Sequence, residues 1–169
     1  APVVSTAPAI PAAYAPVKTK RASAKAKSAP ARNKAGEQPR LKVVPLGGMR
    51  EIGKNMTVYE YGDEMIIVGC GIAFPEEDMP GIDVVIPDFS YVTNNLHKLV
   101  GIFITHGHED HSWALLYLLK DVRVPLYSNH LTIELIRKKI EDRGTGVKNA
   151  NLIKVSDGDV VGVGNFPAE

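Results

Sequence analysis

Residues 99–105 read LVGIFIT, apolar at every successive position but the glycine and the final threonine. A strand with one face in water alternates apolar and polar residues. A run without that alternation suits a central strand covered on both faces, as in layered α/β folds. The segment therefore demands covering elements on either side of a sheet. From Leu41 onward short β-branched and aromatic runs alternate with turn residues and helix-forming stretches, which is the pattern of an α/β domain.

The first expected strand is LKVVPL at 41–46, ended by Gly47 and Gly48. MTVYEY at 56–61 and MIIVG at 65–69, joined at Gly62 and Asp63, predict a hairpin. Residues 73–92 place three prolines among carboxylates, so loop is expected there around a short strand at 84–86, with a brief helix over 91–97. WALLYLLK at 113–120 lacks breakers and predicts a helix with Ser112 as its N-cap. VPLYS at 124–128 is a further short strand. Leu131, Leu135, Ile136 and Ile140 then share one helical face, with Ser128 or Asn129 as cap and Gly144 past the end. NLIKV and VVGVGNF, around the turn DGD at 157–159, are expected to pair as a closing hairpin. No internal repeat is visible.

Charge divides the chain at residue 40. Eight of the 20 Lys and Arg but only Glu37 of the 19 acids fall in residues 1–40, which leaves the remainder at a net −6. Residues 1–40 also hold half of the 12 prolines and few large aliphatics, so they cannot bury enough apolar surface to offset chain entropy. A disordered basic tail is expected there. It would serve either to attract a polyanion such as RNA or as a plain soluble tether, with an organelle transit peptide as a lesser option. No secretory apolar segment and no run near the ~18 residues of a membrane span is present. Cys70 is the only cysteine, which excludes an internal disulfide and is compatible with a reducing cytoplasm. A start without Met and a stop just after an expected strand suggest a piece of a longer protein.

Directly after the central strand stands HGHEDH, His106 to His111. Neutral imidazoles and ionised carboxylates are the donors that borderline divalent cations such as Zn²⁺ and Mn²⁺ take. In an extended segment His106 and His108 can converge on one ion. Asp110 and His111 lie where the loop turns into a helix and can address a second ion about 3.5–4 Å from the first, the two sharing a water of lowered pKa. Gly107 fits a chain that must pass close to the ions. Glu109 is expected to face solvent, and His97 and His130 lack partners at metal spacing. The chain has no GxSxG elbow, no phosphate-binding P-loop and no GxGxxG between strand and helix. PLGGMREIGKNM, at 45–56, reads either as a plain hairpin connection or as a functional loop.

HGHEDH behind an apolar strand resembles the HxHxDH motif of the metallo-β-lactamase fold, which serves many hydrolases. Taken with GGMREIGKNM at 47–56, GIAFPEEDMPGIDVVIPDFSYV at 71–92 and GIFITHGHEDH at 101–111, it is similar to the β-CASP nucleases of the ribonuclease J type over residues 41–169. The resemblance implies the first part of an αββα sandwich and two divalent ions, usually zinc and sometimes manganese. It implies hydrolysis of RNA phosphodiesters, as a 5′-to-3′ exonuclease and an endonuclease, in RNA decay and maturation in the cytoplasm. His106 and His108 would bind one ion and Asp110 and His111 the other, Asp110 also orienting the nucleophile. A homo-oligomer or a paired paralogous subunit would follow. The family's Asp before CG is Gly69 here, and Trp113 replaces a small Gly. Those departures keep open a degenerate paralogue that binds RNA or a partner without catalysis, and the fold itself keeps open a small-molecule hydrolase. Ligands from later in the chain would be missing, and apolar faces normally covered by the second half of the sandwich would be exposed, so an inactive piece that is poorly soluble or only partly ordered is expected.

Overall fold

The computed structural model describes residues 39–143, 147 and 150–169, so the expected disordered tail and Gly144 lie outside the described residues, apart from Pro39 and Arg40. Six strands form one sheet in the order of the sequence: β1 (Leu41–Gly47), β2 (Met56–Tyr61), β3 (Glu64–Val68), β4 (Leu99–Phe103), β5 (Leu126–Ser128) and β6 (Leu152–Lys154). β1, β2 and β3 pair antiparallel, and β3 through β6 run parallel. The β2–β3 hairpin turns at Gly62, whose φ of 63° suits a tight turn, with Tyr61 opposite Glu64.

The uninterrupted apolar character of β4 is accounted for by what covers it. On one face Leu99 and Ile102 join Val58, Met65 and Ile67 against Val92, Leu115, Leu118, Ile133 and Ile136 from the helices. On the other face a separate hairpin of β7 (Val161–Val163) and β8 (Phe166–Ala168) packs Val161 and Val163 onto Ile66 and Tyr127, with Val100 and Phe103 alongside. Gly101 lets this hairpin approach, since a Cβ there would lie 2.9 Å from Val163 Cγ1. The Glu64 carboxylate fastens the hairpin by accepting from Asn165 N at 2.6 Å. Helices on one face and the start of a second β-layer on the other make the architecture α/β, as half of a four-layer sandwich would be.

The closing hairpin forms between other partners than expected. β6 joins β5 in parallel, Leu126 opposite Leu152, because helix α4 (His130–Asp142) carries the chain back across the sheet. The DGD turn, in which Asp159 Oδ2 accepts from Ser156 N, redirects the chain to the second sheet. The hairpin itself turns at Gly164, φ 58°. The helix expected over 113–120 is broken into α2 (Glu109–Ser112) and α3 (Leu115–Leu118), because Ala114 N bonds to the Cys70 carbonyl at 2.9 Å instead of to its own helix. Ser112 is not a cap: its hydroxyl donates backwards to the His108 carbonyl at 2.8 Å and to that of Gly107 at 3.3 Å. The expected strand at 84–86 is a single bridge between Ala73 and Val85. The brief helix is α1 (Ser90–Thr93) followed by a 3-10 turn (Leu96–Lys98).

In α4 the cap is Asn129, whose side chain accepts from Thr132 N at 2.9 Å. The core face differs from the expected one: Thr132, Ile133 and Ile136 are buried and Ile140 packs against them, but Leu131 is 69% exposed and Leu135 40%. The sheet claims a narrower stripe of this helix, and Leu135 faces the site. Exposed Leu41 and Val43 lie on β1.

Candidate metal centre

All the candidate ligands lie beyond the carboxyl end of β4, where a parallel sheet opens between strand and helix. Residues 104–108 leave the sheet extended and α2 begins at Glu109, with His108 at its N-cap position, φ −63° and ψ 152°. This change of direction gathers three imidazoles. The His106 ring centroid lies 4.6 Å from that of His108 and 4.3 Å from that of His111.

The donor atoms fall into two pairs. His106 Nε2 and His108 Nδ1 are 3.1 Å apart, and His111 Nε2 and Asp110 Oδ2 are 3.3 Å apart. Two donors each at ~2.0–2.1 Å from a tetrahedral ion are separated by roughly 3.3–3.4 Å, so both spacings match the bite of a shared cation. Among the described residues no three His, Cys, Asp or Glu side chains are placed to hold one ion. The chemistry of the donors fits a borderline divalent metal. Burial pushes the His111 imidazole below its ordinary value; Asp110 opposes this and the neighbouring His106 and His108 add to it, which favours the neutral ring that metals bind. Thr105 Oγ1 lies 2.9 Å from His106 Nδ1; with that N–H donating to the hydroxyl, the Nε2 lone pair is left free.

The HGHEDH loop is latched from behind by two other loops. Cys70 N donates to the His111 carbonyl at 2.8 Å and Ile72 N to that of Glu109 at 3.1 Å; Asn55 N donates to the Asp110 carbonyl at 3.0 Å. Such proximity explains the glycines of GCG. A Cβ at Gly71 would fall inside contact distance of the Asp110 carbonyl and 2.6 Å from His111 N. Gly69 has φ 75°, and a Cβ there would stand 2.6 Å from the Asn55 carbonyl, so this backbone leaves no room for the Asp that the resemblance places at that position. At Gly107 the close approach recorded is that of Leu135 Cδ1, 2.7 Å from a would-be Cβ.

PLGGMREIGKNM supplies more than a hairpin connection. Residues 48–55 form a loop longer than the ~2–5 residues a hairpin needs, closed by Glu51, which accepts from Gly48 N and pairs with Lys54 at 2.9 Å. It delivers Asn55, whose side-chain amide donates to the Asp110 carbonyl at 3.1 Å and to Asp110 Oδ2 at 3.0 Å, and lies 3.3 Å from His111 Nε2. Asn55 was not among the residues singled out from the sequence; the excess length of its glycine-bounded loop was the available signal.

A groove of about 900 Å³ runs beside the loop, its walls including Ile72, Phe74, Asp110, Trp113, Leu135 and Lys139. Trp113 is half-buried and forms part of this wall. Lys139 Nζ sits 3.6 Å over its ring and Arg143 beyond at 5.3 Å, while its buried Nε1–H has no hydrogen-bond partner among the described residues. Burial pushes the Lys139 ammonium down to about 8, with Glu109 opposing and Arg143 adding, although the indole face favours the charged form. Glu109, half-buried, thus faces a cation instead of only solvent. His97 and His130 are exposed and belong to no cluster with the other candidates.

Residues 49–167 match the metallo-beta-lactamase superfamily. The chain is 43% identical over 136 residues to a ribonuclease J of Thermus thermophilus, covering 78% of this chain and 24% of that one. It is 44% identical to a ribonuclease J of Synechocystis, covering 73% and 19%, and 51% identical to a ribonuclease J 1 of Streptococcus pyogenes, covering 60% and 18%. The chain thus spans about a quarter or less of the length of these relatives. With the motif at the mouth of an α/β sheet and a superfamily match across most of its length, the chain belongs to the metallo-beta-lactamase superfamily.

Proposed function

We propose that this chain is the ion-binding part of a ribonuclease J-like enzyme that hydrolyses RNA phosphodiesters with two divalent cations, zinc or manganese, as a 5′-to-3′ exonuclease and an endonuclease of the cytoplasm. The observation that carries the reading is the pairing of donors, 3.1 Å in one pair and 3.3 Å in the other, in a chain similar to relatives named ribonuclease J. His106 and His108 would hold one ion, Asp110 and His111 the other.

When bound, such ions supply Lewis acidity toward a phosphoryl oxygen and a nucleophile available near neutral pH. The chain's own residues prepare the place. Thr105 holds the His106 ring, burial favours the neutral form of His111, and Asp110 would offer a carboxylate from the groove wall to orient the attacking group. Lys139, held over Trp113, offers a cation on the groove wall for an anionic backbone. No helix among the described residues is long and apolar enough to cross a membrane.

The test is metal content and cleavage of 5′-labelled RNA by the full chain, and by the same chain joined to whatever follows it in its gene. Expected are bound zinc or manganese in both, EDTA-sensitive cleavage by the longer protein, and loss of cleavage in His108→Ala. Metal-free protein that binds RNA without cutting it would instead support the degenerate paralogue, a reading favoured by Gly69 and by Trp113 in the groove wall. Cleavage of a thioester or lactone but not RNA would support a small-molecule hydrolase.

A further inference from the structure

We infer that Asn55 is the positioning residue for the Asp110 carboxylate. Three polar groups of Asn55 are turned to the site: its backbone N–H, its backbone carbonyl and its side-chain NH2. Its N–H donates to the Asp110 carbonyl, its own carbonyl accepts from Gly71 N at 3.2 Å, and its side-chain amide reaches both the carbonyl and Oδ2 of Asp110. One residue thereby fixes Asp110 at the main chain and at the side chain together. An amide is the group this requires, because a carboxylate at 55 would present only acceptors to the Asp110 oxygens. The bond holds Oδ2, the oxygen that stands 3.3 Å from His111 Nε2.

The arrangement also explains why glycine is found at 69. A side chain there would collide with the Asn55 carbonyl, 2.6 Å from the Cβ position, and would dislodge the residue that now does the orienting. The same amide lies 3.3 Å from His111 Nε2, the longest of its three contacts and the one an incoming ion would displace. Asn55 therefore acts on the Asp110–His111 pair and not on His106–His108.

This inference rests on the two-ion reading above, and two measurements separate their failures. In the metal-free full chain, the ¹H–¹⁵N resonances of the Asn55 side-chain amide should be shifted and slow to exchange, and should revert in Asp110→Ala. An amide indifferent to Asp110→Ala overturns the inference, and this measurement does not depend on any substitution at Asn55 folding. In calorimetric titration with Zn²⁺ and with Mn²⁺, Asn55→Ala should keep the binding event that His108→Ala removes. It should weaken the other by about 10- to 100-fold, the usual cost of losing a group that orients a ligand. Equal weakening of both events, or of neither, overturns the inference, since a merely structural role would not single out one pair. If the amide responds to Asp110→Ala yet wild type binds no second ion, the two-ion reading fails and the positioning of Asp110 stands.

Discussion

A single methyl group at Gly71 should undo the latch behind the HGHEDH loop. No left-handed backbone is at issue there, so Gly71→Ala is a test of space alone. The added carbon would lie 2.6 Å from His111 N and nearer still to the Asp110 carbonyl. Ordinary contact requires roughly 3.3–3.6 Å. One of the two segments must therefore retreat by about 1 Å or more. That movement takes the bonds from Cys70 N to His111, Ile72 N to Glu109 and Asn55 N to Asp110, now 2.8, 3.1 and 3.0 Å, past the range in which they count. At about 1 kcal/mol each the loss is about 3 kcal/mol, a large share of the roughly 5–15 kcal/mol by which domains are stable. A shift of this size also exceeds the ~0.5 Å tolerance of a ligand constellation. The assay is urea unfolding followed by circular dichroism, with Gly162→Ala as control, since nothing lies within 4 Å of a Cβ at that position. The control should unfold like wild type. If Gly71→Ala also unfolds within about 1 kcal/mol of wild type and binds metal as tightly, the contact between the loops is not what holds the site.

Three other outcomes follow from the same structure. Asn129→Ala should lose about 1 kcal/mol in the same unfolding assay by leaving Thr132 N without its acceptor. Burial works against charge on Glu60, but Lys98, the Tyr91 hydroxyl and Lys42 outweigh it and hold the carboxylate below its ordinary 4.5. The Glu60 contribution is therefore present above that value and is lost as pH falls through the depressed one. Glu60→Gln should cost about 2 kcal/mol at pH 7, and its difference from wild type should vanish in acid. Cys70 is fully buried and its thiol is pushed above its ordinary value, so a thiol reagent should label it only as urea unfolds the chain.

Elements with strong local signals were legible in the sequence: the β2–β3 hairpin from its turn, β4 from its uninterrupted apolar run, α4 from its apolar spacing behind a cap at Ser128 or Asn129. The candidate ligands stood out as a motif because three imidazoles in six residues leave few other uses. What could not be read was settled by partners distant in sequence. Cys70 intercepts Ala114 N and splits a helix that propensity alone would continue. The edge of β5 captures β6, although DGD is as good a turn as the one β7 and β8 use. Asn55 sits 55 residues from Asp110, and the only local signal was the excess length of its glycine-bounded loop.

Trp113 is the chain's only tryptophan, and it stands in the groove wall with the Lys139 ammonium against its face. Ultraviolet emission excited near 295 nm therefore arises from one address on the molecule. A nucleic acid that draws the ammonium off the indole, or a cation that rearranges the loop two residues earlier, would announce itself as a change in brightness or colour without any label being attached.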